Sequence, residues 1–214
     1  MQRPKLHVEW LGRDVPYADA LTKQEALVDA KIRAPDAVPD TLLLLEHASV
    51  YTIGRTPDRS SLRQTEALLP HPLFTIARGG QATYHGPGQL VGYPILDLAR
   101  RGRDLHRYLR ALEEVLITAL ATHGIAAAAR RAGLTGVWVA DRKIASIGVG
   151  VRRWISFHGF AVNVTRAALD GFLSITPCGI AGVTMTSIEN ETGHALSPHD
   201  FAQTVADICR AQRF

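Results

Sequence analysis

The sequence RGGQATYHGPGQ, residues 78–89, places four glycines within ten positions. The same stretch contains Arg78, Tyr84, His85 and Gln89. Glycine adopts positive φ and lets the backbone approach a ligand closely. The glycines alone would indicate only a tight loop between two strands, but such a turn needs none of these four polar side chains. We therefore interpret the segment as a ligand-binding loop, which we call the glycine loop. It is not a phosphate-binding P-loop, because no Gly-Lys-Ser/Thr follows it, and it does not fit a strand-to-helix dinucleotide fingerprint.

The patterns on either side of this loop predict the fold. Apolar or alternating stretches predict strands at residues 6–10, 41–45, 73–77, 90–98, 137–140, 144–151 and 155–164. Helical recurrence predicts helices at residues 16–33 and 104–123 and from residue 197 onward. Asp104 and Ser197 are suitable N-caps for the second and third of these helices. Because helices and hairpins follow one another in mixed order, we expect an α+β fold with a mixed β-sheet packed with helices, rather than a doubly wound fold.

The composition predicts one globular domain over residues 1–214, since 46% of the residues are hydrophobic and 21% are charged. The net charge of +4 fits either a solvated, mildly basic surface or attraction to an acidic macromolecule. We expect no nucleic-acid partner, because basic and aromatic residues are not interleaved. We expect no membrane partner, because no apolar run reaches the length of a span. The absence of a signal-peptide core, a disulfide framework and a CxxC pair predicts a cytoplasmic protein.

The two cysteines differ in their surroundings. Cys178 lies between Pro177 and Gly179, a turn-like setting that tends to expose the side chain. Cys209 lies on the apolar face of the predicted last helix, as expected of a small buried hydrophobe. Cys178 is therefore the candidate nucleophile.

Lys143 follows a predicted hairpin turn and begins an apolar strand. It is either an exposed hairpin lysine or a lysine that leans over the site. In the second case its ammonium would favour the thiolate of Cys178, since an unperturbed thiol has a pKa of about 8.5. His85 is a second possible partner of the cysteine. His158 lies on a predicted strand, and we interpret it as structural rather than catalytic.

These segments together resemble the lipoyl(octanoyl) transferase family. The resemblance depends on residues 78–80, residues 84–89, GVWV at 136–139, KIASIG at 143–148, FHGFAVNV at 157–164 and PCGI at 177–180. The segments run in the family's order from about residue 51 to residue 188, which is most of the chain. The set is highly specific, whereas the glycine loop alone would be only moderately so.

The resemblance implies a fold shared with lipoate-protein ligases and the catalytic domain of biotin protein ligases. It implies that Cys178 forms an acyl-thioester intermediate, and that Lys143 lowers the pKa of Cys178 and shuttles protons, with His85 as a possible auxiliary. The residues implied to line the acyl pocket are Arg78, Gly79, Gly80, Gln81, Ala82, Thr83, Tyr84, His85, Ser146, Ile147, Gly148, Gly159, Phe160 and Ala161.

The resemblance also implies the reaction, the first step of protein lipoylation. The octanoyl donor would be octanoyl-acyl carrier protein. The acceptor would be a specific lysine on lipoyl domains of 2-oxoacid dehydrogenases and on the glycine cleavage H protein. No cofactor is expected, neither ATP nor a metal. Candidate docking charges for these acidic partners are Arg100, Arg101, Arg103, Arg130, Arg131, Arg152 and Arg153.

Three alternatives stay open at this point. An ATP-dependent lipoate-protein ligase would share the fold and the strand lysine but would need no cysteine. A non-catalytic module that binds a carrier would hold an inert cysteine, and a thioester hydrolase would release free octanoate. The sequence also leaves the proton acceptor open between Lys143 and His85.

Overall fold

A computed structural model describes residues 6–55, 58–180 and 182–212, apart from the side chain of Cys178. Its strands are β1 (His7–Trp10), β2 (Thr41–Leu45), β3 (Val50–Ile53), β4 (Leu73–Thr75), β5 (Thr83–His85), β6 (Gln89–Ile95), β7 (Ala128–Arg131), β8 (Leu134–Val139), β9 (Arg142–Arg152), β10 (Ile155–Asn163) and β11 (Thr184–Met185). Its α-helices are α1 (Tyr17–Arg33), α2 (Leu105–Thr122), α3 (Ile188–Thr192) and α4 (Pro198–Ala211).

The main sheet has the order β1-β2-β6-β10-β9-β8-β7, with β11 paired to β9 outside that path. The pairs β1–β2 and β11–β9 are parallel, and the other pairs of this sheet are antiparallel. A smaller sheet has the order β4-β3-β5. The expected α+β fold with a mixed sheet is therefore confirmed.

Helices cover both faces of the main sheet. Leu42 and Leu44 of β2 pack in one apolar cluster with residues of α2 and α4. Leu43 and Leu45, which point the other way, pack with Ala20 of α1. Successive strand residues face opposite sides, so the run of leucines reads as a strand buried on both faces. No helix in the described ranges is long and apolar enough to span a membrane.

Most predicted elements are present, and their ends follow local hydrogen bonds. Asp104 caps α2 by accepting a bond from the Arg107 N–H at 2.9 Å, as predicted. Ser197 caps α4 by accepting from the Asp200 N–H at 3.1 Å. The strand predicted for residues 90–98 ends earlier, at Ile95, because the Asp97 carboxylate accepts from the Ala99 N–H and starts a short 3₁₀ helix.

A buried cluster of charges ties α1 to the ends of β2 and β6. Lys31 Nζ lies 2.7 Å from Asp40 Oδ1, and Arg101 Nη2 lies 2.7 Å from Asp40 Oδ2. The Asp97 N–H also donates to Asp40, at 3.1 Å. Burial alone would raise the pKa of Asp40, but the hydrogen bonds from Lys31 and Arg101 outweigh it and hold the pKa below its usual value. Asp40 is therefore ionised in the folded protein.

We expect Asp40→Ala to lower the free energy of unfolding by about 3–5 kcal/mol at pH 7, because it leaves Lys31 buried without its counter-ion. The folded pKa of Asp40 lies below the unfolded one, so its contribution is present above the unfolded pKa and is lost as the pH falls through the folded pKa. Urea unfolding at pH 7 and in acid measures both effects. Asp36→Ala, at an exposed carboxylate paired with Arg100, is the matched control and should cost under about 1 kcal/mol. Equal losses in the two variants would contradict the prediction.

Candidate functional site

A cavity of about 420 Å³ lies between the main sheet and the loop that follows β4. Of the residues predicted from the sequence, those that line it are Arg78, Gly79, Gly80, Gln81, Thr83, His85, Lys143, Ser146, Ile147, Gly148, Gly159, Phe160 and Ala161. The three predicted segments thus meet at one cavity.

Two predicted pocket residues face elsewhere. Ala82 and Tyr84 pack in an apolar cluster with Tyr51 and Phe172. They alternate with Thr83, which lines the cavity, because successive strand side chains point to opposite faces. Ala82 and Tyr84 therefore support the loop from its other side and do not form the cavity wall.

The Arg78 side chain anchors the glycine loop. Its Nη2 donates to the backbone oxygen of Thr52 at 2.8 Å and to Thr52 Oγ1 at 2.9 Å, and its Nη1 donates to the backbone oxygen of Gln81 at 3.0 Å. The loop lies directly on β9, since a Cβ at Gly148 would come within 2.9 Å of Arg78 Cδ. A Cβ at Gly150 would likewise lie 2.6 Å from the backbone oxygen of Ala77. The glycines of β9 therefore allow the loop to form this wall of the cavity.

Lys143 is buried, with 2% of its surface exposed, and lines the cavity. Its Nζ lies 5.3 Å from the centroid of the Trp138 ring, where a cation–π contact stabilises the charge. Gly136 makes room for it: the φ of Gly136 is +126°, and a Cβ there would lie 2.8 Å from Lys143 Cε and 2.5 Å from the backbone oxygen of Ala145. The alternative of an exposed hairpin lysine is therefore wrong.

Cys178 lies in the short 3₁₀ turn Pro177–Gly179, which confirms the predicted turn. Its side chain is outside the described part of the structure, but the neighbouring residues locate its backbone. A Cβ at Gly179 would lie 2.8 Å from Gln81 Cγ, and Ile180 lines the cavity. The turn therefore lies beside the cavity.

The chain beyond this turn returns to the strand that bears Lys143. In β11, Met185 pairs with Lys143, and the Thr186 N–H donates to the backbone oxygen of Lys143 at 2.9 Å. Upstream, the Thr176 N–H donates to the backbone oxygen of Ser61 at 2.7 Å. The segment with Cys178 is thus held at both ends beside the cavity.

Cys209 is 1% exposed in the core, as predicted. Burial raises the pKa of its thiol to about 12. A thiol with this pKa is protonated at neutral pH and is inert as a nucleophile.

A chain of hydrogen bonds fixes the ring of His85. Its Nδ1 lies 2.8 Å from Gln89 Oε1, and Gln89 Nε2 donates to Asn163 Oδ1 at 2.9 Å. Since the Gln89 oxygen must accept, the network assigns the proton to Nδ1 and a lone pair to Nε2. Burial lowers the pKa of His85 to about 3, with a smaller effect from His47. His85 is therefore neutral and a very weak base.

His158 also lies at the cavity, a position that was not predicted from the sequence, and its interpretation as structural rather than catalytic stays a prediction. It is 2% exposed and lines the cavity, and neither ring nitrogen has a hydrogen-bond partner among the described residues. Burial lowers its pKa to about 3, so the ring is neutral. Nothing in the predicted strand marked His158 as a cavity residue, although the following Gly159 was among the predicted pocket residues.

Tyr17 and Tyr93 also line the cavity and were not predicted from the sequence. Tyr17 lies within the predicted helix at residues 16–33, and Tyr93 lies within the predicted strand at residues 90–98. Nothing in the local sequence marks their hydroxyls as cavity groups, because their meeting depends on the packing of α1 over β6. In the described ranges no group of three metal-ligating side chains could hold a metal ion.

Four of the seven arginines considered for docking are held in ion pairs within the chain. The pairs are Arg100 with Asp36 and Asp97, Arg101 with Asp40, Arg130 with Glu113, and Arg152 with Asp29. These contacts account for the four charges without a partner protein. Arg103, Arg131 and Arg153, which are exposed, stay candidates for docking.

The fold resembles solved ligases at low sequence identity. A bi-partite lipoate protein ligase from Thermoplasma acidophilum superposes with a TM-score of 0.67 and 14% identity, over 100% of this chain and 84% of that one. Biotin protein ligase from Aquifex aeolicus superposes with a TM-score of 0.58 and 15% identity, over 97% of this chain and 69% of that one. These similarities concern the fold alone, and they confirm the predicted architecture.

Sequence comparison gives closer relatives. The family model of the lipoyl protein ligase A/B catalytic domain matches residues 16–210. An octanoyltransferase from Syntrophotalea carbinolica is 51% identical over 86% of this chain and 83% of its own length. One from Geobacter sulfurreducens is 52% identical over 89% of this chain and 77% of its own length. The chain therefore belongs to the octanoyltransferase family, within the lipoyl protein ligase A/B catalytic domains, as its sequence motifs indicated.

Proposed function

We propose that this acyltransferase moves an octanoyl group from octanoyl-acyl carrier protein to a lysine of a lipoyl domain, through a thioester on Cys178. The observation that carries the proposal is the placement of Lys143. Its buried side chain lines the same cavity as Ile180, two residues beyond the cysteine. A cationic side chain that lines the same cavity as a cysteine turn would favour the thiolate of that cysteine.

In the first half-reaction the Cys178 thiolate attacks the carbonyl carbon of the donor thioester. A carbon–sulfur bond forms to Cys178, and the carbon–sulfur bond to the carrier breaks. The departing carrier thiolate takes a proton from the Lys143 ammonium and leaves as a thiol. Exchange of one thioester for another is nearly isoenergetic, so this step needs no further source of free energy.

In the second half-reaction the amine of the acceptor lysine attacks the acyl-enzyme. The amine loses a proton to the neutral Lys143 as the carbon–nitrogen bond forms. The Cys178 thiolate leaves, which restores the thiolate–ammonium pair. Replacement of a thioester by an amide is downhill, and we propose that the reaction proceeds without ATP or a metal.

His85 is the weaker candidate for the proton acceptor. A group whose conjugate acid has a pKa of about 3 holds almost no proton from an amine at neutral pH. Lys143, which has just released its proton to the donor thiol, is the better base in the second step. His85 then lines the cavity and helps to position the glycine loop. The Nε2 of His85 lies 3.5 Å from Thr52 Oγ1, which also accepts from Arg78.

The partners follow from the same proposal. The donor is octanoyl-acyl carrier protein, and the acceptors are lipoyl domains of 2-oxoacid dehydrogenases and the glycine cleavage H protein. The net charge of +4 supports encounter with acidic proteins. The family relation to octanoyltransferases supports the octanoyl group as the cargo.

We expect Cys178→Ala to lose at least about 1,000-fold in transfer of octanoyl to a lipoyl domain, because the nucleophile is absent. The test incubates the enzyme, octanoyl-acyl carrier protein and a purified lipoyl domain without ATP, and follows the mass of the domain. Cys209→Ala is the matched control and should retain activity at a small cost in stability. Modification only on addition of ATP and free octanoate would instead indicate a ligase, and release of free octanoate alone would indicate a hydrolase.

We expect Lys143→Met to raise the pH midpoint for alkylation of Cys178 by about one unit or more, where one unit corresponds to about 1.4 kcal/mol. The reason is the loss of the cation that stabilises the thiolate. Iodoacetamide alkylation across pH, in a Cys209→Ala background, measures the midpoint. Lys23→Met, at a lysine paired with Glu9 outside the cavity, is the control. A midpoint that stays the same in Lys143→Met would remove Lys143 from the activating role.

A further inference from the structure

One end of the cavity holds buried polar atoms that lack protein partners. Tyr17 Oη, His158 Nδ1 and His158 Nε2 have no hydrogen-bond partner within the described ranges. Tyr17 is 4% exposed and His158 is 2% exposed, and both line the cavity. Buried polar groups in proteins are almost always hydrogen-bonded. This end of the cavity is therefore suited to a polar occupant such as water, which both donates and accepts.

These atoms belong to one cluster, which we call the polar end and define as Tyr17, Tyr93 and His158. The rings of Tyr93 and His158 are 6.4 Å apart. Tyr93 Oη lies 2.7 Å from His47 Nε2, and the His47 ring is 5.2 Å from that of Tyr17. The neutral ring of His158 offers one donor and one acceptor. Three side chains from α1, β6 and β10 thus place hydrogen-bonding groups at one end of the cavity.

The register between β9 and β10 allows the distance from Lys143 to His158, at the polar end, to be counted in strand residues. Val149 of β9 pairs with His158, and Ser146 pairs with Ala161. At about 3.3 Å per strand residue, Ser146 lies about 10 Å from Lys143 and Val149 lies about 20 Å from it. His158, at the polar end, is therefore about twice as far from Lys143 along the strand as Ser146 is.

Small residues line the middle part of the cavity beside the larger Ile147 and Phe160. Ser146, Gly148, Gly159 and Ala161 all contribute to the wall there. An extended octanoyl chain spans about 10 Å, the rise of three strand residues. Counted from Lys143, a chain of this length ends near Ser146 and stops before the position of His158.

We propose that the polar end sets the upper limit of acyl-chain length, because Tyr17 and His158 must keep polar partners that a longer chain would displace. This inference rests on the proposed octanoyl transfer and adds the residues that select its substrate. Additional methylene groups would leave buried donors and acceptors without hydrogen bonds, which is strongly unfavourable. Discrimination against long chains then comes from the cost of unsatisfied polar groups as well as from space.

The test changes the polarity of this end at nearly constant volume. Tyr17→Phe removes one hydroxyl, and Tyr17→Phe combined with His158→Leu makes the end apolar. Tyr108→Phe removes an equally buried hydroxyl from α2, away from the cavity, and is the matched control. The probes are N-acetylcysteamine thioesters of even-numbered acids from hexanoyl to tetradecanoyl, and the readout is kcat/KM for formation of the acyl-enzyme.

We expect wild type and Tyr108→Phe to prefer octanoyl over dodecanoyl to the same degree. Tyr17→Phe should reduce that preference about tenfold, the effect of relieving one unsatisfied buried group, and the double variant should reduce it further. An unchanged ratio in Tyr17→Phe, or a wild type that accepts both thioesters equally, would overturn the proposal. Tyr17→Phe alone decides the question if the double variant does not fold.

Equilibrium binding of the same thioesters to Cys178→Ala separates this inference from the proposed function. If no thioester acylates the wild type but Cys178→Ala binds octanoyl more tightly than dodecanoyl, and adding Tyr17→Phe to that variant weakens the preference, the proposed function fails and the length limit holds. If acylation occurs with equal efficiency at every length, the reaction holds and the length limit fails. If no thioester binds, both fail.

Discussion

The antiparallel pairing of β9 with β10 is the constraint on which the cavity depends. Its register sets Ser146 opposite Ala161 and Val149 opposite His158. A slip of one residue would turn the side chains of a strand to the other face, so the register keeps Ser146, Ala161 and His158 at the cavity. The same strand carries Lys143 at its start and accepts β11 there. Sheet register thus fixes the distance between the charged and the polar parts of the cavity.

Burial also shifts the pKa values of several ionisable groups and thereby determines their charge. His85 and His158 have pKa values near 3 because they are desolvated, so both rings are neutral around the cavity. Cys209 is equally buried, and its pKa of about 12 leaves it as an unreactive core residue. Lys143 is the basic residue of β9 that lines the cavity. In the mechanism we propose, a Cys178 thiolate beside that side chain would allow acyl transfer without an activated nucleotide, which favours a transferase over a ligase.

Much of this arrangement could be predicted from the sequence, since local patterns dictate it. The strand at residues 41–45, the caps Asp104 and Ser197 and the Pro-Cys-Gly turn each depend on a few adjacent residues. What could not be predicted depends on packing between distant segments. His158 and Tyr17 meet only because α1 lies over the sheet, and several surface arginines pair with acids far away in the sequence. The composition of the chain and the spacing of its residues do not reveal such contacts between distant segments.

The most direct test of the account is the intact mass of the protein after incubation with octanoyl-acyl carrier protein in the absence of ATP. The account predicts a gain of one octanoyl group that hydroxylamine removes, that maps to the peptide containing Cys178 and that is lost in Cys178→Ala. An octanoyl group on another residue, or no adduct under conditions where a lipoyl domain becomes modified, would contradict the thioester intermediate.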